Sequence, residues 1–250
     1  MYVLLGSCFA QNVGQMMVSE GWDATVNPLG TLYNTESVRQ TVRAALEGGH
    51  LPMFFDETMQ EWRCWLANTR FRAERREDCE KMVREALDGL ATALQKAEWL
   101  VITLGTNVIY SVALPDGEGR YVVSNCQRQP DRLFEEHRMD VEEVSSALED
   151  TLRCVRTVNP GCRMVLTVSP YRYRKYGLHG NAMSKARLLL AADAVARQME
   201  GVYYFPAYEI MVDELRDYRY YAADGLHPAQ EAIDIIWNRF QQFLTGLEQR

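Results

Sequence analysis

Side chains able to move acyl groups stand near the two ends of this chain. Ser7 lies in Gly6-Ser7-Cys8-Phe9-Ala10, while Asp224-Gly225-Leu226-His227-Pro228 offers a carboxylate and an imidazole three residues apart. A serine hydroxyl attacks a carbonyl only when a base takes its proton. An imidazole serves as that base when a carboxylate holds its second ring N–H. The roles fall to Ser7 as nucleophile, His227 as base and Asp224 as its orienting partner. A tetrahedral oxyanion also needs hydrogen-bond donors. The candidates are the backbone N–H groups of Ser7 and Gly30 and the side-chain amide of Asn107.

These groups act together only if the fold carries them to one place. Tyr2-Val3-Leu4-Leu5 is an apolar run of strand length, and Phe9, Val13, Met16 and Met17 then recur at helical spacing. Ser7 therefore sits at a strand-to-helix turn. Asp23 to Asn27 reads as a second strand, Pro28-Leu29-Gly30 as a turn, and Asn34-Thr35 as the cap of a helix carrying Val38, Val42, Ala45 and Leu46. Residues 50–76 show no clean period and read as an irregular insertion with a small hairpin. A helix over Glu77–Glu98 precedes a buried strand over Trp99–Leu104. The segment 108–124 reads as a hairpin turning at Pro115-Asp116-Gly117. Helices follow over 140–158, 181–199 and 228–247, the last with Pro228 in its first turn. Strands Arg163–Val168 and Val202–Phe205 separate them.

Strands alternating with long helices imply right-handed βαβ crossovers and a largely parallel α/β sheet covered on both faces, in a single domain over 1–250. In such sheets ligands bind beyond the carboxyl ends of the strands. Ser7 follows the first strand, Gly30 the second, Asn107 the third and Tyr171-Arg172 the fourth. Asp224 and His227 follow the fifth. This shared rim is the main argument for reading the residues as one site.

Each residue alone has a plainer explanation. Serine before a helix is commonly an N-cap, Asp-x-x-His-Pro suits a loop ahead of a helix, Asn107 can close a turn and Gly30 can serve a positive φ. Cys8 is a rival nucleophile at a helix N-terminus, expected to be inert and to face the core. His50, His137 and His179 have no partners at metal-ligand spacing. The six cysteines form no C-x-x-C pair, so no metal or other cofactor is expected. Phosphate-binding glycine loops and G-x-S-x-G are missing.

A net charge of −7 argues against nucleic acid as a partner. No apolar run reaches the length of a membrane span. The strand at the very start leaves no room for a signal peptide, so a cytoplasmic location is expected. Two aromatic-basic stretches, Tyr171-Arg172-Tyr173-Arg174-Lys175-Tyr176 and Tyr218-Arg219-Tyr220-Tyr221, are expected to flank the site. Tyr171, Arg172, Tyr220 and Tyr221 are their candidate substrate contacts; the alternative is loop tyrosines packed on the domain.

The sequence resembles the GSCFA family, a bacterial branch of the SGNH/GDSL hydrolase superfamily. The likeness runs through Gly6–Ala10, Asn27–Asn34, Thr103-Leu104-Gly105-Thr106, Asn125-Cys126, Thr167-Val168-Ser169-Pro170, Ser184-Lys185, Tyr204–Glu209, Asp213–Arg219 and Asp224–Pro228. The resemblance implies a flavodoxin-like three-layer αβα sandwich with five parallel strands and metal-independent hydrolysis of an O-acyl ester on a small molecule or carbohydrate. It maps Ser7, Asp224 and His227 onto the triad, and Ser7, Gly30 and Asn107 onto the oxyanion donors. An acyltransferase using the same triad, or a non-catalytic carbohydrate-binding or scaffold protein, are the alternatives. Gly-Ser stands where most relatives have Gly-Asp-Ser, and Gly105-Thr106-Asn107-Val108 where Gly-x-Asn-Asp is common. Gln127 and Tyr171 replace residues that in the family are often histidine and valine.

Overall fold

The computed structural model describes residues 1–114 and 119–249. Its elements are β1 (Tyr2–Gly6), α1 (Cys8–Ser19), β2 (Ala24–Val26), α2 (Thr35–Glu47), β3 (Met53–Asp56), β4 (Glu61–Cys64), β5 (Arg72–Ala73), α3 (Arg76–Lys96), β6 (Trp99–Leu104), β7 (Val108–Ala113), β8 (Arg120–Val122), β9 (Glu135–Arg138), α4 (Val141–Val158), β10 (Arg163–Val168), α5 (Gly177–Gln198), β11 (Val202–Phe205), α6 (Ala207–Glu209) and α7 (Gln230–Glu248). Five strands form one parallel sheet in the order β11-β10-β6-β1-β2. The sheet reverses its winding between β1 and β6, and such a switch point opens a crevice at the strands' carboxyl ends.

The strand residues explain why both faces are covered. Val3, Leu5, Leu100, Ile102, Met164 and Leu166 face one core, packed by α2, α3, α4 and α5. Tyr2, Leu4, Trp99, Val101 and Val165 face the other, packed by α1 and α7. Alternate side chains thus point to opposite faces, and near-continuous apolar runs result. A three-layer α/β architecture follows.

Local chemistry sets where the helices start. Asn34 Oδ1 accepts from Ser37 N at 2.8 Å at the head of α2. Asp140 and Glu143 form a reciprocal capping box on α4. Such caps contribute about 1 kcal/mol each.

Several expected boundaries shift. The small hairpin expected within residues 50–76 is present as β3 and β4, and β5 extends it to a three-stranded antiparallel sheet where irregular chain was expected. The hairpin strands β7 and β8 are joined by β9 on the other side of β7, whereas the turn at Pro115-Asp116-Gly117 lies outside the described residues. α5 begins at Gly177, four residues early. Pro228 precedes the N-cap Ala229 rather than lying in the first turn of α7, because it bridges to Tyr221. The two small sheets meet through Trp65, Val112 and Val123, with Phe54 stacked on Trp65 at 3.7 Å. Among the described residues, no helix is long and apolar enough to cross a membrane.

Candidate active site

Ser7 is held where the strand becomes a helix. Gly6 has φ +136°, and a Cβ there would lie 2.2 Å from Thr103 O, so only glycine lets β1 run this close to β6. Ser7 is the N-cap of α1, its Oγ accepting from Phe9 N at 3.3 Å. The turn is braced by Asn27, whose Oδ1 accepts from Gly6 N at 2.9 Å. Ser7 is only 2% exposed.

At the same rim stand Asp224 and His227. His227 Nδ1 donates to Asp224 Oδ2 at 2.5 Å. Asp224 Oδ1 accepts from the N–H groups of Leu226 and His227 at 2.8 and 3.0 Å. The imidazole hydrogen bond, then these two amides, hold the Asp224 carboxyl down at about 2. With Nδ1 tied to the carboxylate, Nε2 is the nitrogen left to take a proton. Both side chains are nearly half exposed. The loop is pinned to the β10 rim, since Arg172 N donates to Leu226 O at 3.0 Å.

A cavity of about 490 Å³ opens beside His227. Its wall includes Tyr33, Asn34, Thr106, Tyr110, Ser124, Asn125, Tyr171 and Tyr173, together with Cys8 and Cys126. Among the described residues, no Asp, Glu, Lys or Arg lines it. Tyr171 lies against the His227 ring with centroids 4.5 Å apart. The Ser124 Oγ is buried and has no partner among the described residues.

Several expected roles change once the hydrogen bonds are traced. The Ser7 N–H donates to Thr103 O at 3.1 Å, extending the β1–β6 ladder, and the Gly30 N–H donates to Asn27 O at 2.8 Å within its turn. Asn107 Nδ2 donates to Met139 O at 2.5 Å, and Asn107 is 1% exposed. All three expected oxyanion donors are therefore bonded to the protein itself. Among the described residues no hydrogen bond links Ser7 to His227; the Ser7 hydroxyl faces its own helix. Cys8 lines the cavity instead of facing the core, because α1 turns Phe9 and Ala10 inward. Burial pushes its thiol up, so it stays protonated, outweighing the opposite effect of the helix-start amides and Lys185.

Of the four expected substrate contacts, only Tyr171 lines this cavity. Arg172 is drawn away over the Tyr221 and Tyr218 rings, at 4.2 and 5.6 Å. Tyr220 is buried in the core on the α1/α7 face, and Tyr221 packs against the edge of the same core.

The sequence matches the GSCFA family profile over residues 2–240. The chain belongs to the GSCFA family. No curated protein matches it. Solved structures with a similar chain path include a carbohydrate esterase of family 3 from Talaromyces cellulolyticus, with TM-score 0.45 and 12% identity, covering 99% of this GSCFA chain and 97% of that one. An acetyl esterase S10A mutant with acetate ion gives TM-score 0.43, 12% identity and coverage of 99% and 97%. An acetyl xylan esterase from the rumen bacterium Butyrivibrio proteoclasticus gives TM-score 0.42 and 12% identity, with 99% of this chain and 64% of that one covered.

One residue beside the GSCFA turn escaped sequence reasoning. Lys185 is 1% exposed, and its Nζ donates to Gly105 O at 2.8 Å and Ser169 O at 2.7 Å. It thereby ties together the loops leaving β6 and β10. Burial lowers its ammonium to about 7. Its neighbour Ser184 holds Asn107 N at 3.1 Å and Thr106 Oγ1 at 3.3 Å. The available signal was position: Lys185 shares the apolar stripe of α5 with Leu188, Ala192 and Val195.

Proposed function

We propose that this GSCFA protein is a serine esterase that removes an acyl group from an uncharged O-acyl ester of a carbohydrate or similar small molecule. Ser7 is the nucleophile, His227 the general base and Asp224 the residue that fixes the imidazole. The observation that carries this reading is the Asp224–His227 pair, with Nδ1 engaged, at the rim where β1 delivers Ser7. Attack forms an acyl-Ser7 ester and passes the alcohol its proton from His227. Water, deprotonated by His227, then releases the acid and restores Ser7.

The wall of the cavity supports the substrate class. Four tyrosines with Asn34, Thr106, Ser124 and Asn125 provide flat apolar faces and neutral hydrogen-bonding groups, which suits hydroxyl-rich rings. Its volume lies in the range of small-molecule sites. The internal bonds of the Ser7, Gly30 and Asn107 donors mean that substrate entry must rearrange the rim before chemistry. Ser7 Oγ leaves Phe9 N and turns to His227, and the Asn107 amide uses its second N–H on the oxyanion. Catalysis then includes a conformational step.

A panel of p-nitrophenyl esters and acetylated sugars, with Ser7→Ala and His227→Ala controls, tests the proposal. Acid release that depends on Ser7 and His227 is expected. Release unchanged in both variants would remove the proposed mechanism.

A further inference from the structure

A second cavity, of about 470 Å³, lies on the far side of the loop that walls the first. Ser124, Asn125 and Cys126 line the catalytic cavity, and Gln127, Arg128, Gln129 and Pro130 line this one. Its chemistry is the opposite of its neighbour's. Arg63, Arg70, Arg72 and Arg128 all line it.

The carboxylates nearby do not neutralise them. Asp56 is buried and fully bonded, to Thr58 N, Met59 N, Gln129 Nε2 and Arg63. Glu61 pairs with Arg63, and reaches Arg72 only at 3.8 Å. Four guanidiniums against two carboxylates leave two positive charges uncompensated, in a chain whose net charge is −7. Arg70 donates to Pro28 O but, like Arg128, has no carboxylate within ion-pair distance among the described residues. Arg70, Arg72 and Arg128 are exposed and keep guanidinium N–H groups for a ligand.

The floor is built rather than loose. Arg63 is 4% exposed, and its Nη1 donates to Gln127 O at 3.1 Å. Gln127 is fully buried, its Nε2 bonded to Cys64 O and Ala67 O, while its Oε1 is buried without a partner among the described residues. Gln127 and Arg128 both take left-handed backbone angles, φ 55° and 60°. Non-glycine residues adopt that conformation in succession only where their surroundings impose it, which ligand sites often do.

We infer that this cavity is a binding site for an anionic sugar-sized ligand, its carboxylate or phosphate held by Arg70, Arg72 and Arg128. Guanidinium forks match both groups bidentately. The site does not rest on the esterase reading, and its test needs no turnover.

The test is titration calorimetry on the full chain at low salt with glucuronate, glucose 6-phosphate, inorganic phosphate and glucose. The carboxylated or the phosphorylated sugar is expected to bind with Kd of about 1 mM or tighter, and glucose not to saturate. Binding by glucuronate alone identifies a carboxylate ligand, by glucose 6-phosphate alone a phosphorylated one. Arg70→Ala/Arg128→Ala should weaken binding at least about tenfold, with its fold checked by circular dichroism. Arg72→Glu, by charge reversal at an exposed position, should do the same if the double variant is unstable. The inference is overturned if no anion saturates, if glucose binds as tightly, or if the folded variants bind as the parent does.

Discussion

The two halves of the proposed catalytic unit are built in opposite ways. Ser7 sits on the sheet, nine-tenths buried or more like Asn107 and Lys185 around it, and the Ser7 and Gly30 N–H groups, the Asn107 amide and the Lys185 ammonium all bond to backbone carbonyls. Asp224 and His227 sit on a loop, almost half exposed, and bond mainly to each other and to their own backbone. The proposed nucleophile is thus positioned by the fold, and the proposed base by a four-residue local motif. The comparison implies that changes on the sheet side should disturb structure and chemistry together. Changes on the loop side should disturb chemistry far more than stability.

The largest effects should come from Ser7→Ala and His227→Ala, each lowering kcat about 10⁶-fold on the scale of other serine hydrolases. They should separate in stability. Ser7→Ala also removes the α1 cap, costing about 1 kcal/mol, whereas His227→Ala, which removes a bond between half-exposed side chains, should lower the melting temperature less. Equal melting curves for both would break the contrast.

Asp224→Asn comes next, with an expected loss of about 10²–10⁴-fold in kcat. The carboxyl at about 2 in the folded chain lies below the ordinary aspartate value of about 3.9. Any stability it contributes is present above about 3.9 and lost as pH falls toward 2. A carboxyl-detected NMR titration should find it near 2, and His227→Ala should move it up toward the ordinary range, since the imidazole is the main cause.

Much of this layout was legible from residue order alone. The strands of the parallel sheet announce themselves as apolar runs because both faces are covered. Asn34, Asp140 and Ser7 mark helix starts by local capping chemistry. β9 was not legible: Glu135-Glu136-His137-Arg138 is charged and exposed throughout, and only pairing with β7 makes it a strand. The resting bonds of the Ser7, Gly30 and Asn107 donors were not legible for a related reason. Whether an N–H is free depends on long-range partners such as Thr103 and Met139, which no local pattern reveals. Arg172 was diverted likewise by the Tyr218 and Tyr221 rings.

Lys185→Met sharpens the sheet side. Losing the clamp on Gly105 O and Ser169 O should reduce kcat about tenfold with KM little changed. Because the folded ammonium is lowered to about 7 against the usual value of about 10.4, the unfolded chain holds more protons between those values. Lys185 therefore destabilises the fold fully below about 7, and this penalty fades as pH rises toward 10. Wild-type stability in urea should gain on that of Lys185→Met across this window; parallel pH profiles would deny the buried charge. The smallest effect belongs to Cys8→Ala. A thiol kept protonated by burial should be dispensable, with kcat changing by no more than about twofold.

The central claim, that Ser7 becomes the acylated group despite its buried resting position, is tested most directly by a fluorophosphonate probe followed by peptide mass mapping. The account predicts one adduct on Ser7, formed slowly because the rim must open, and absent in His227→Ala. An adduct on Cys8 that persists in Ser7→Ala would contradict it.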